Sequence, residues 1–368
     1  MAVDSTGRPA GDDLRGPALT DRKPYLDAAR GVAVVIMVAA HVTDAWTREA
    51  DRHDDRFFMT VFVNGLGAPI FLLLAGVALA MAAESRARTI GADRAARSVH
   101  ARGWQVFGLA FLFRLQAQLL GWGPLVNLLK VDILNVMGVA MIAAAWIWRL
   151  AGTRRARIAA FGVTTAVFAF LTPTVREAVW VGWLADPLEW YLRPAPSRTT
   201  FTLFPWAGFL TAGALLGELI EGARLPAQEW RLHAGLMTAA FMGIAAGYAA
   251  SYLPSLYANA QFWTSSPAFF FIRLGIVTAV LAGAWFLGLA WEPLVTLGRS
   301  SLFVYWIHVE MVYGALAIPL RRLMPWEASV LATFALCGVL YWLVRLKNRW
   351  MEARPLPGRW WILAPILK

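Results

Sequence analysis

One cysteine, Cys337, and five histidines are the whole stock of thiol and imidazole in 368 residues. A lone cysteine excludes intrachain disulfides and cysteine-based metal sites, and it leaves little room for thiol redox chemistry. Charge is scarce as well, since Asp, Glu, Lys and Arg supply 15% of the chain against 59% hydrophobic residues. That balance is too apolar for a soluble domain of this length. Also missing is the alternation of period two, broken by turn residues, that a membrane barrel needs. Helices are then the remaining way to satisfy backbone polar groups in lipid, so the fold class is all-α, a polytopic membrane protein.

What the chain does contain is long apolar runs. A helix needs roughly 20 largely apolar residues to cross the hydrocarbon core. About ten stretches qualify: 25–46, 57–83, 101–121, 126–149, 157–174, 201–221, 232–253, 268–290, 295–317 and 327–346. These give one transmembrane bundle over 25–346. Before it, "MAVDSTGRPAGDDLRGPALTDRKP" (1–24) has the composition of a disordered tail and no apolar run of a cleaved signal, so the first span is expected to act as its own insertion signal. After it, 347–368 reads as a basic tail.

The net charge of +11 matters less for a membrane protein than where the charges fall. "ESRARTIGADRAARSVHAR", "RLAGTRRAR" and "RLKNRWMEARPLPGRWW" are the densest basic stretches, and ten spans put all three on one side only if both termini are inside. The expected topology is therefore N-in and C-in, in a bacterial cytoplasmic membrane, with lipid and not nucleic acid as the basic partner. Trp180, Trp183, Trp190 and Tyr191 in the fifth-to-sixth connection fit interfacial anchors better than a sugar-stacking platform.

Polar residues can now be placed in depth. At 1.5 Å of rise per residue, His41 lies about 20 Å from the inner face and Asp44 one turn beyond it. Asn64, Arg114, Asp132, Asn135, Arg273 and His308 fall in the same outer layer. Any one of them could be a structural post between helices, but a layer of intramembrane polar groups points to a cavity or a site. Asp27, Arg30, Val34, Met37, His41 and Asp44 follow steps of three and four, which is one stripe of a helix. That spacing would let Asp44 orient the His41 imidazole. Ser301, Tyr305 and His308 form a similar stripe, with Glu310 directed elsewhere. Gly65, Gly67, Pro69 and Gly76 in the second span permit close helix approach or a broken backbone.

The ordered blocks "YLDAARGVAVVIMVAAHV", "GAPIFLLLAGVALAM", "VDILNVMGVAM", "LFPWAGFLTAGALLG", "SSPAFFFIRLG" and "LGRSSLFVYWIHVEM" resemble the bacterial relatives of lysosomal heparan-alpha-glucosaminide N-acetyltransferase. That group is part of a transmembrane acyltransferase superfamily that includes acyltransferase family 3. The resemblance implies a bundle of about ten helices that takes an acetyl or other acyl group from cytosolic acyl-CoA, acetyl-CoA being the donor. The acceptor would be a sugar or glycan on the far side, and a homodimer is compatible. It also implies a histidine base near the end of the first helix, which corresponds to His41, or in the following loop, which corresponds to His53. A neutral imidazole suits removal of the acceptor's proton during attack on a thioester. Asn64, Arg114 or His308 could donate to the developing oxyanion. Arg30, Arg97 and Arg102 suit the phosphates of CoA. The donor-binding set as a whole is Asp27, Arg30, Asn64, Arg97, Arg102, Arg114, Asp132 and Arg273. No metal is expected.

The competing reading is a transporter for a small polar or anionic solute, which would also place ionisable residues and broken helices in mid-bundle. Such proteins often carry a half-chain repeat, and the "LDAARG" and "GAPIFLLLAG" blocks have no counterpart after residue 185.

Overall fold

Apolar segments in lipid must close their own backbone hydrogen bonds, and in a computed structural model, which describes residues 23–121 and 124–353, the chain does so with helices. They are α1 (Pro24–Trp46), α2 (Asp55–Asn64), α3 (Gly67–Ile90), α4 (Ala92–Gly121), α5 (Ile133–Leu150), α6 (Arg154–Glu177), α7 (Asp186–Leu192), α8 (Leu203–Gly222), α9 (Pro226–Ala250), α10 (Pro267–Phe286), α11 (Glu292–Arg299), α12 (Ser301–Tyr313) and α13 (Trp326–Ala353). Among the described residues the only β-type pairings are isolated bridges, Thr47 with Met324 and Val131 with Thr199. The protein is an all-α integral membrane protein.

Eight helical units among the described residues are long and apolar enough to span a bilayer: α1, α2 with α3, α5, α6, α8, α9, α10 and α13. The other two expected spans look different. The third is the far half of α4, whose near half carries Asp93, Arg94, Arg97 and Arg102. The ninth is broken at Ser300 into α11 and α12.

Two boundaries also move. The basic stretch 84–102 reads as a loop in sequence but is helical on both sides of one turn: α3 runs on to Ile90 and α4 starts at Ala92. Ala and Arg are good helix formers, and the reversal falls on Gly91 at φ 80°, a backbone angle that favours glycine. At the other end α13 continues past 346 to Ala353, so the expected basic tail begins as helix. Lys347 there is buried, donating to Ser300 Oγ at 3.1 Å. Most of the expected tails, 1–22 and 354–368, lies outside the described residues.

Helices approach closely where glycine replaces a side chain. A Cβ on Gly76 of α3 would lie 1.9 Å from the Leu210 carbonyl oxygen of α8, and one on Gly213 of α8 would lie 1.9 Å from that of Leu73. Backbone cannot yield as a flexible side chain can, so this crossing requires glycine on both faces.

The end of α1 is clasped by the segment before α13. Arg48 N donates to Met324 O at 2.8 Å, Met324 N to Trp46 O at 2.9 Å and Arg322 N to Ala45 O at 3.0 Å. Trp326 N donates to Asp51 Oδ2 at 2.9 Å. That bond, with Arg48 beside it, holds the Asp51 carboxyl below the usual carboxylate range. A depressed carboxyl contributes stability above its unfolded pKa and loses it only as pH falls through the folded value. The Asp51 contact of the clasp is therefore present at neutral pH and weakens as pH falls through that carboxyl's lowered pKa, while the three backbone bonds do not titrate.

Candidate active site

A polar stripe on α1 needs polar surroundings in a membrane, and it faces a cavity of about 2150 Å³. Asp27, Arg30, Met37, Ala40 and His41 form one wall. Asp27 and His41 are separated by about 20 Å of helix rise, so the cavity follows α1 through most of a bilayer core. Single-ligand pockets occupy roughly 300–1,000 Å³, and this one is larger than that range.

At one end the lining is cationic. Lys23, Arg30, Arg86, Arg88, Arg102 and Arg299 line it, against the carboxylates of Asp27 and Glu221. Asp27 is buried between Arg30 at 3.2 Å and Arg299 at 3.1 Å, while Arg88 pairs with Glu221 at 3.1 Å. Arg102 donates to Gln105 at 3.4 Å.

Arg97 is not among the lining residues and is exposed. The reason is its place on α4, where Ser98, Ala101, Arg102 and Gln105 form the cavity face at helical spacing and Arg97 stands off it. Where Arg97 does not line the cavity, Arg86 does. It was hidden because the end of α3 reads as loop; once the helix is extended, Ala82, Ser85, Arg86 and Thr89 form a stripe.

At the other end two imidazoles meet. His41 Nδ1 lies 2.7 Å from His308 Nε2, and the ring planes differ by 2° with centroids 4.9 Å apart. The centroids are separated by far more than the contact distance, so the rings meet edge to edge in one plane and are not stacked face to face. His308 is fully buried, and its Nδ1 lies 2.9 Å from the Val304 carbonyl oxygen. A carbonyl only accepts, so His308 Nδ1 carries hydrogen. In a pair of neutral rings His308 Nε2 is then the acceptor and His41 Nδ1 the donor. Each bond fixes the next, and His41 Nε2 is left with its lone pair. His41 lines the cavity and His308 does not.

This arrangement departs from the sequence expectations at four residues. Asp44 does not bond the His41 ring: its carboxylate accepts from Arg52 Nη2 at 3.0 Å and from Tyr313, and its side chain is 57% exposed. His53 stands exposed in a short 3₁₀ turn, away from the cavity. His308 lies behind His41, out of reach of a reacting oxygen in the cavity. On α12 the lining stripe runs through Leu302, Tyr305, Val309 and Tyr313, which turns His308 sideways toward α1. Glu310, expected to point elsewhere, does line the cavity and accepts from Gln116 Nε2 at 2.9 Å.

The remaining predicted residues surround the histidine end. Asn64 ends α2 and donates from Nδ2 to Thr43 Oγ1 at 2.9 Å, two positions from His41. Its second amide hydrogen is available to the cavity. Arg114 pairs with Asp132 at 2.9 Å. Asp132, which lines the cavity, also caps α5 by accepting from Leu134 N, and Asn135 Oδ1 accepts from Asp132 N. The two residues thus fix the start of that helix, with Asn135 itself off the cavity wall. Arg273 lines the cavity with its guanidinium 4.1 Å from the Phe269 ring centroid and 5.8 Å from that of Trp206.

The sequence of residues 22–252 matches the family described as heparan-alpha-glucosaminide N-acetyltransferase, catalytic. The chain belongs to this family. The match spans more than half of the chain, and it contains His41 and, except for Arg299, the cations of the cavity's cationic end. His308 and Arg273 lie beyond it. A search of curated proteins finds no match. Membership implies membrane-embedded N-acetyltransferase chemistry.

Proposed function

We propose that the protein transfers an acetyl or other acyl group from cytosolic acyl-CoA to an amine or hydroxyl on an extracytoplasmic amino sugar or glycan. The setting is a bacterial cytoplasmic membrane with both termini inside. The observation that carries this reading is one cavity with a cationic mouth at one end and the His41–His308 pair at the other. Its mouth falls among the basic stretches expected inside, and six cations there suit the phosphates of CoA better than they suit lipid-facing surface. An extended pantetheine arm running along α1 would bring the thioester to His41.

There the acceptor nitrogen attacks the thioester carbon as His41 Nε2 takes its proton. A C–N bond forms, the C–S bond breaks, and the proton held on Nε2 passes to the departing thiolate. Asn64 supplies an N–H toward the tetrahedral oxyanion. His308, by accepting from Nδ1–H, keeps Nε2 as the basic nitrogen and supports the imidazolium that forms. It acts through His41 and is a positioning residue.

Purified protein given acetyl-CoA is expected to release free CoA thiol only when an amino sugar is also present. A transporter would release none under any acceptor. The native thiol, Cys337, is buried, so it adds little background to a thiol-detecting assay.

A further inference from the structure

Arginine inside a membrane protein normally has its charge answered. Arg114 is answered by Asp132, Arg157 by Glu84 at 2.8 Å and Arg193 by Glu189 at 3.0 Å. Arg273, six positions into the spanning helix α10, differs. Among the described residues no carboxylate pairs with it and no group accepts a hydrogen bond from it. Its interactions are with the faces of Phe269 and Trp206. Stacking of this kind holds the plane of a guanidinium and leaves its N–H edge open, and that edge is the part that grips a carboxylate, sulfate or phosphate with two parallel bonds.

Location decides what the edge faces. A Cβ on Gly65 would lie 3.5 Å from Arg273 Nη2, so the guanidinium sits against the turn between α2 and α3. Asn64 ties the same turn to α1 at Thr43, close to His41. Arg273 and Trp206 both line the cavity there. The carboxylate of Glu310 in this chamber is already held by Gln116, and that of Asp132 by Arg114. Arg321, the other cation lining this end without a carboxylate partner, donates to the backbone carbonyl oxygens of Tyr313 and Gly314. Among the described residues Arg273 is therefore the lining cation of this chamber with neither a counter-charge nor a hydrogen-bond acceptor, and it borders the space where an acceptor must sit.

We infer that Arg273 is the acceptor's anion subsite, and that the molecule acylated at His41 carries a carboxylate, sulfate or phosphate near the reacting group. This rests on the acyltransferase reading for its second half. The first half, preference for an anion, is measured without turnover.

The experiment is equilibrium binding to the full-length protein in detergent micelles. The anionic probes, called the charged sugars below, are glucosamine 6-sulfate, glucosamine 6-phosphate and glucuronic acid, set against glucosamine and glucose, which carry no anionic group. Wild type is expected to bind the charged sugars about tenfold or more tighter than their counterparts, the cost of leaving a desolvated charge unanswered. Arg273→Gln is expected to bring the charged sugars down to the level of the others, and Arg273→Lys to recover only part, having charge without the stacked fork. Acetyl-CoA binding is expected to stay at the wild-type level in both variants, which also shows that they are folded.

Equal binding of anionic and non-anionic sugars by wild type overturns the inference, as does an anion preference that survives Arg273→Gln. Loss of acetyl-CoA binding in step with sugar binding assigns the arginine to the donor and overturns it too. If the charge preference stands but no sugar triggers CoA release, the acyltransferase reading has failed and the anion site has not.

Discussion

Replacing His41 by alanine is expected to lower kcat for CoA release by about 10²–10⁴, the usual contribution of a positioned general base. The dissociation constant for acetyl-CoA is expected to change little, because the cationic end that would hold the nucleotide lies about 20 Å away along α1. Exogenous imidazole offers a further readout: it can enter the space the side chain leaves and restore part of the rate, which it cannot do for a misfolded protein. His53→Ala is the companion variant. Being exposed in its turn and off the cavity, it is expected to keep wild-type turnover. If the two variants behave the other way round, the loop histidine is the base.

His308→Leu is expected to lower kcat by roughly 10–100-fold, the scale seen when a partner that fixes the ring of a working histidine is removed. The leucine leaves His41 Nδ1–H without an acceptor, so the ring can turn or shift its proton to Nε2, the nitrogen that must stay free. His308→Gln keeps an acceptor oxygen on a chain of similar reach and is expected to recover most of the loss. That recovery separates positioning from packing, since leucine is the better hydrophobic filler for a fully buried site. Equal rates in the two variants would mean that the 2.7 Å contact with His41 has no part in the reaction.

Much of this was legible in the sequence, and the parts that were not have physical reasons. The stripe on α1 could be read because helical periodicity is strict over a long uninterrupted helix. The pairing of His41 with His308 could not: depth counting placed both in one layer but gives no azimuth between helices 267 positions apart. Proximity in sequence then favoured Asp44 as the partner, whereas Arg52 folds back over the end of α1 and takes that carboxylate. Arg86 was hidden by a different effect. Basic residues between two apolar runs look like a loop, yet Ala and Arg continue a helix well, and only Gly91 was available to mark the turn. The unanswered charge of Arg273 was beyond sequence entirely, because being without a partner is a property of the whole bundle.

On the proposed function, one cavity carries an acyl group from a donor at its cationic mouth to an acceptor beside His41 on the other side of the membrane. The most direct measurement uses proteoliposomes with glucosamine 6-sulfate sealed inside and acetyl-labelled acetyl-CoA added outside, for protein whose cytoplasmic face is known to point outward. The predicted result is labelled N-acetyl sugar accumulating in the lumen with wild type and falling by about 10²–10⁴ with His41→Ala. Labelled product appearing only on the donor's side, or appearing equally with the alanine variant, would contradict it.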